Sequence, residues 1–281
     1  MDVLANFALI GPGKSGTTAL YSLLTRHPQV AMATVKETCY FNDHHARGHA
    51  WYRALYPATI GPDVRAIGEV SNTYIFSAAA ADRMRAYNPD MKAVACLRNP
   101  VERTFSHWLF LKRNAEIDGT FEDALRLRPD LVERGKYAMH LDPWFAALGK
   151  ERVLVLVFDD FVKSPLAVYN RLLGFIGVDE VASAELDDGD RLPASAPRSR
   201  LAARAVKAVA NAVRKAGHPR LIQLMKDSPL PRMLYRPYGR NDRPTMSAET
   251  RAQLGAQFAD DASRLGDMLG RDLRAEWGLR P

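Results

Sequence analysis

The sequence predicts a three-layer, P-loop-like α/β fold: a central parallel sheet flanked by helices, with a helical C-terminal part. Three observations carry this expectation. Near the N-terminus an apolar run, residues 4–10, feeds the glycine-rich turn GPGKSG and then a helical pattern, the order of strand, anion cradle and helix. Residues 92–97 (KAVACL) and 152–158 (RVLVLVF) are continuous apolar runs of the kind buried on both faces of a parallel sheet. Strand-length runs alternate with helical patterns through residue 178, and that alternation implies parallel βαβ units.

Residues 4–10 supply the first strand. In the turn, Gly11, Gly13 and Gly16 can adopt backbone conformations closed to other residues, so successive N–H groups can converge on one oxyanion and the next helix adds its positive end. A Walker A loop reads G-x-x-x-x-G-K-[ST]. Here Gly16 is followed by Thr17 and Thr18, and Lys14 lies inside the turn, misplaced for an ordinary ATPase. Residues 17–26 carry Ala19, Leu20, Leu23 and Leu24 at helical spacing until His27-Pro28 ends the pattern. A short strand at 30–33 delivers KETCYFN (36–42), another strand falls at 66–70, and residues 78–87 read as a helix stopped by Asn88-Pro89.

The strand 92–97 runs into Arg98. Asn99-Pro100-Val101-Glu102 then has a helix-start signature: Asn as N-cap, Pro at the first helical position, and Glu placed to bond back to the cap. That helix extends to about residue 112. After the strand 152–158, Asp159-Asp160 read as a strand-end cap and a helix covers about 165–175. In such sheets ligands bind beyond the carboxyl ends of the strands, where the glycine turn, Lys36-Glu37 and Arg98 all fall. Residues 183–197, rich in small, acidic and proline residues, read as a loop. Leu201, Ala205, Val209, Ala212 and Ala216 mark one face of a helix whose other face carries Arg200, Arg204, Lys207 and Arg214. Ser247 caps a last long helix, with Leu254, Phe258, Leu265 and Leu269 on one side and Gly270 as its stop.

With 281 residues, 47% of them apolar, and a net charge of +7, the chain suits one large α/β domain. No run approaches the roughly 18 apolar residues of a membrane span, and the N-terminus lacks the basic segment of a secretory leader; a cytoplasmic location is the default expectation. Cys39 and Cys96 lie in or beside apolar runs without C-x-x-C or Cys/His spacing, so both are expected as reduced packing residues, with neither disulfide nor metal. Between Arg198 and Arg243 twelve basic residues stand against only Asp227 and Asp242. That excess suits an anionic partner: nucleotide, acidic glycan or phospholipid. For 198–220 a solvated face, substrate docking and peripheral contact with an anionic membrane all stay open. No nucleic-acid partner is expected, and the oligomeric state is not legible.

Three stretches, GPGKSGTTAL (11–20), KETCYF (36–41) and RNPVERTFSHW (98–108), together resemble the signatures of sulfotransferases that use 3′-phosphoadenosine 5′-phosphosulfate (PAPS). The likeness is to the heparan sulfate N-deacetylase/N-sulfotransferase and 3-O-sulfotransferase type and its bacterial relatives. It is strong over 5–110, weaker through 150–175, and returns around 240–277. The resemblance implies one sulfotransferase domain over 1–281: a core at 4–178, a variable basic helical region at 195–235, and a cofactor-covering loop and helix at 236–281.

It further implies that Lys14, Ser15, Gly16, Thr17, Thr18 and Ala19 hold the 5′-phosphosulfate, with Lys14 at the bridging oxygen, where charge builds as the bond breaks. Arg98 and Ser106 match the pair that grips the 3′-phosphate, a task suited to a guanidinium, and Arg240 falls near that phosphate. Glu37 matches the glutamate that takes the acceptor's proton, with His44, His45 and His107 as rivals. No metal is needed. The implied reaction moves the sulfuryl group to a hydroxyl or amine of a glycan, lipid or small molecule. Two departures leave the acceptor, more than the donor, open: Val70 and Asn72 stand where heparan-type enzymes carry lysine and proline, and the C-terminal loop lacks their disulfide. The plainer readings are that Arg98 pairs with Glu102, that Glu37 pairs with Lys36, that His44 and His45 are solvent-exposed, and that His107 packs on its helix. A P-loop-type nucleotide kinase and a non-catalytic, basic, membrane-associated binding protein are the rival functions.

Overall fold

The apolar runs of the first half become strands and the segments of helical period become helices. The computed structural model describes residues 5–185, 195–239 and 242–280. In chain order its elements are β1 (Phe7–Gly11), α1 (Thr17–Arg26), β2 (Val30–Met32), α2 (Gly48–Arg53), β3 (Ala66–Val70), α3 (Ala78–Tyr87), β4 (Lys92–Leu97), α4 (Pro100–Arg113), α5 (Phe121–Leu127), α6 (Asp130–Glu133), α7 (Tyr137–Leu148), β5 (Val153–Val157), α8 (Phe158–Lys163), α9 (Pro165–Ile176), β6 (Ser195–Pro197), α10 (Arg200–Lys215), α11 (Pro219–Asp227), α12 (Leu230–Leu234), β7 (Tyr235–Pro237), α13 (Ala248–Leu269) and α14 (Leu273–Glu276). The chain forms two compact units, Met1–Arg98 with His140–Arg191, and Asn99–Met139 with Leu192–Pro281.

In the first unit five strands form a parallel sheet in the order β2-β3-β1-β4-β5. Strand β1 sits in the middle because every one of its residues is apolar or glycine and all five are buried. One face of the sheet presents Phe7, Leu9, Val94, Cys96, Leu154 and Leu156 to Leu20 and Leu24 of α1 and Leu172 and Leu173 of α9. Each fully buried leucine there contributes about 2 kcal/mol. Where β1 leaves the sheet its register slips, Leu9 pairing with Val94 but Gly11 with Ala95. Gly11 has φ 102°, and a side chain there would overlap the backbone of Asn72. Glycine is therefore required by both conformation and space. Asp159 and Asp160, expected as a strand-end cap, instead lie in the first turn of α8, near its positive end.

In the second unit Asn99 caps α4 as expected, its Oδ1 accepting the Val101 N–H at 3.0 Å, with Pro100 at the helix start. The return bond expected of Glu102 gives way to an ion pair with Arg251 of α13 at 2.6 Å. A guanidinium is a stronger partner for a carboxylate than a neutral amide. Helix α4 buries Phe105 and Trp108 against Phe121 of α5, with ring centroids 5.1 and 5.4 Å apart. Helix α13 starts at Ser247, whose Oγ accepts the Thr250 N–H at 3.0 Å, and ends at Gly270 with φ 67°.

Two expectations for this unit change. Residues 195–197 of the expected loop pair antiparallel with β7, Ser195 opposite Pro237, while 186–194 lie outside the described residues. Three of the four basic residues on the charged face of α10 also pair with carboxylates, while the Arg200 and Arg204 side chains stay partly in solvent. Arg200 and Arg204 both grip Asp118, Arg204 at 2.8 Å, and Lys207 reaches Glu116 at 3.0 Å.

Candidate active site

The turn after β1 has the build of an anion cradle. Gly16 takes a left-handed conformation, φ 86°, as N-cap of α1, and no side chain caps the helix; its first-turn N–H groups are of the kind an anion satisfies. Lys14 is left-handed as well, with φ 77°, a conformation that costs a side-chain-bearing residue about 1 kcal/mol or more and recurs at functional positions. Ser15 is fully buried, and its Oγ finds no hydrogen-bond partner among the described residues. A buried hydroxyl left so loses about 1–3 kcal/mol, which a ligand oxygen within reach would restore. Thr17 is buried, Thr18 Oγ1 accepts from Lys36 Nζ at 2.9 Å, and the Ala19 side chain belongs to the sheet–helix core. At Ala19, then, only the backbone is available to a ligand.

Glu37 lies across from this turn and is also left-handed, with φ 63°. Its own N–H donates to the Val70 carbonyl at 2.8 Å, tying it to the carboxyl end of β3. Asn72 holds its carboxylate twice: the backbone N–H donates to Oε2 at 3.0 Å and the side-chain amide to Oε1. The same Asn72 packs against the turn, its backbone at Gly11 and its side chain at Gly13. The sequence marked Asn72 only as a departure from the heparan-type pattern; here it links the cradle to the carboxylate.

Behind Glu37 lies a clamp that sequence reasoning missed. The fully buried Glu69 accepts from Thr38 Oγ1, from Ser71 Oγ at 2.7 Å, from Tyr52 OH at 2.8 Å and from Tyr74 OH at 2.9 Å. Three of these hydroxyls in turn accept backbone N–H groups of the Glu37 loop. Ser71 Oγ takes that of Cys39 at 3.0 Å, Thr38 Oγ1 that of Tyr40 at 3.3 Å, and Tyr74 OH that of Phe41 at 3.1 Å. One carboxylate thus orients the hydroxyls that fix residues 38–41, a loop that includes the left-handed Cys39. The only sequence signal was polar residues at 69 and 71 closing an apolar strand.

Burial raises the Glu69 carboxyl above its ordinary range, against the opposing pull of the four hydroxyls. The native state therefore keeps this proton to higher pH than the unfolded chain, where the carboxyl titrates near about 4.3. By linkage, its contribution to stability is fully present below that value and declines as pH rises through the raised one. Glu69→Gln is expected to lower the melting temperature by several degrees, about 1–3 kcal/mol, and to remove this pH slope. Thermal melts of both proteins from pH 4 upward check it, and parallel slopes would sink the assignment.

Arg98 follows β4 half-buried, its guanidinium over the Phe158 ring at 5.2 Å. Gly16 packs on the same ring, where an added Cβ would come within 2.9 Å. Phe158, unmarked in the sequence, is thus a shared contact of Arg98 and the glycine turn. Glu102, offered as a plain partner for Arg98, pairs with Arg251. Ser106 is half-buried on α4 in the second unit, and Arg240 lies outside the described residues. His44, expected in solvent, is buried beside the Trp51 ring at 5.2 Å, because the aromatic side chains of α2 cover it. His45 is half-buried with its ring 5.4 Å from Tyr40, and burial, then Arg83 and His49, hold its pKa below the usual histidine value. His107 stacks on Phe110 at 6.3 Å, in keeping with helix packing.

The fold and this crevice together define an α/β protein of the P-loop-like class, with a lysine inside its glycine turn and a carboxylate held by the residue that packs on that turn. A family model described as the sulfotransferase domain matches residues 5–188, well over half of the chain, and the chain belongs to that family of sulfate-transferring enzymes. A bifunctional heparan sulfate N-deacetylase/N-sulfotransferase of Drosophila melanogaster is 28% identical over 208 residues, 63% of this chain and 20% of the relative. The heparan sulfate glucosamine 3-O-sulfotransferase 6 of Homo sapiens is 31% identical over 184 residues, 62% of this chain and 53% of the relative. The chain thus spans from a fifth to about half the length of these curated relatives. A sulfotransferase from Alicyclobacillus acidocaldarius shares the fold with a TM-score of 0.69 at 23% identity, covering 98% of this chain and 99% of that one.

Proposed function

We propose that the protein transfers the sulfuryl group of PAPS to a hydroxyl or amine of a carbohydrate or small-molecule acceptor. The observation that carries this reading is the sharing of Asn72 by the anion cradle and Glu37. A glycine turn alone fits many phosphate esters. A carboxylate fixed beside it fits a reaction in which the incoming nucleophile must lose a proton.

The residues present fit the donor. The turn and the positive end of α1 suit phosphosulfate oxygens, and the unpartnered Ser15 hydroxyl can donate to one. PAPS supplies an activated sulfur–oxygen bond when bound. Lys14 steadies the charge that gathers on the bridging oxygen as that bond breaks, an interaction stronger in the transition state than in the ground state. Glu37 takes the proton of the attacking oxygen or nitrogen as its bond to sulfur forms. The products are a sulfated acceptor and adenosine 3′,5′-bisphosphate. Arg98 takes the 3′-phosphate; the roles of Ser106 and Arg240 rest on the sequence resemblance. A reducing, cytoplasmic location goes with this proposal, supported by two free, buried cysteines whose thiols burial raises, that of Cys39 to about 12.

Calorimetry with adenosine 3′,5′-bisphosphate tests the donor assignment. Arg98→Ala is expected to weaken binding by about 10- to 100-fold, the worth of charged hydrogen bonds to phosphate. Equal affinity of the wild type for AMP would remove the 3′-phosphate from the proposal, and magnesium-dependent ATP turnover would replace it with a kinase. Sulfur-labelled PAPS with acceptor panels, read by mass spectrometry, identifies the acceptor.

A further inference from the structure

Three consecutive helices of the second unit turn apolar side chains outward. Among the described residues nine large hydrophobic side chains are strongly exposed, and five of them, Leu201, Val209, Leu221, Leu224 and Met233, fall between positions 201 and 233. Single exposed hydrophobics are ordinary on protein surfaces; a concentration of this kind is not. On α10, Leu201 at 77% and Val209 at 55% exposure share a line with the exposed Ala205 and Ala212, at the spacing of one helix face. Leu221 and Leu224, three residues apart, share a face of α11, and Met233 of α12 is 70% exposed.

The opposite side of α10 explains why this face points out. Ala203 is fully buried, Arg200 and Arg204 hold Asp118, Arg204 Nε also donates to the Ala115 carbonyl at 3.2 Å, and Lys207 holds Glu116 while lying 5.8 Å over the Phe110 ring. The helix is pinned by its charges, and its hydrophobic face is left outward, the reverse of the usual arrangement on a globular surface.

The segment carrying this face is strongly basic. From 198 to 239 ten basic residues stand against Asp227 alone; Arg200, Arg204, Lys207 and Arg236 pair with Asp118, Glu116 and Asp242, and Arg198, Lys215, Arg220 and Lys226 are exposed. A second copy of the chain would set this positive surface against itself, which like-charge repulsion opposes. A phospholipid surface supplies both complements, anionic headgroups for the basic rim and an apolar boundary for the leucines. No helix among the described residues is long and apolar enough to cross a membrane, so such contact is peripheral. We propose that α10–α12 form a docking surface for anionic phospholipid bilayers, with Leu201, Val209, Leu221 and Leu224 entering the headgroup–acyl boundary and the basic residues meeting lipid phosphates and carboxylates.

Co-sedimentation of the full chain with phosphatidylcholine vesicles, with and without about 30% phosphatidylserine, tests this without donor or turnover and so independently of sulfuryl transfer. The wild type is expected to sediment with the anionic vesicles only, and less as salt rises from about 0.1 to 0.5 M. The double variant Leu201→Glu/Val209→Glu is expected to bind about tenfold less or weaker, and Lys215→Glu/Lys226→Glu to bind less with a shallower salt dependence. All four side chains are exposed, so circular dichroism and melting should match the wild type. No binding to anionic vesicles, or undiminished binding by the leucine–valine variant, overturns the proposal. A dimer in sedimentation equilibrium that this variant dissolves would assign the face to a second copy, overturning it equally.

Discussion

Replacing Glu37 by Gln is expected to lower sulfuryl transfer by about 10²–10⁴-fold, the usual worth of a positioned general base, while binding of adenosine 3′,5′-bisphosphate should stay close to wild type. The substitution keeps the size of the side chain and leaves one oxygen to accept from Asn72. Under the proposed mechanism it removes the acceptor for the nucleophile's proton, together with one of the two Asn72 bonds now made to the carboxylate. Single-turnover transfer from labelled PAPS, paired with calorimetry, separates the chemical step from donor binding. A loss confined to binding would make Glu37 a structural residue. Undiminished turnover would move the base to a histidine, and His45, whose pKa burial beside Tyr40 lowers, would stand first.

Lys14→Ala is expected to lower kcat by about 10²–10³-fold, the scale found when one group that stabilises a developing oxyanion is removed. Donor affinity should fall much less, since the turn's N–H groups, the end of α1 and Arg98 remain. Backbone strain has to be separated from charge here, because position 14 has φ 77°. Alanine tolerates that conformation poorly and glycine freely. Lys14→Gly should therefore match Lys14→Ala in rate while melting at least as high as the wild type. Parallel losses of rate and stability in both variants would show that the turn collapsed. A protein whose vesicle binding persists and whose chemistry is absent from the start, indifferent to either substitution, would be a binding protein on a sulfotransferase fold.

These two residues could be singled out from sequence because each sits in a short motif that closes an apolar strand. The same locality made most of the scaffold legible. The strands at 66–70 and 92–97 and the helices at 17–26 and 78–87 fall where periodicity and stop signals put them. Asn99, Ser247 and Gly270 act as the caps their positions implied. Residues 114–148 hold one local signal, the Thr120–Asp123 capping box at the start of α5, and the other helices of this stretch, α6 and α7, appear only in the fold.

By itself, then, the sequence determined the parallel α/β scaffold, the glycine turn before α1 and the identity of the charged candidates. Apolar continuity, helix caps and glycine conformations act within a few residues of one another. The tertiary structure decided how those candidates are held. Glu69 collects hydroxyls from positions 38, 52, 71 and 74, Asn72 reaches Glu37 across 35 residues, and Phe158 contacts both Arg98 and Gly16. It also turned the apolar face of α10 outward, because Asp118 and Glu116, more than 80 residues earlier in the chain, hold its arginines and lysine. A buried carboxylate is tolerable only where donors converge on it from several elements, and that convergence exists only after the chain has folded.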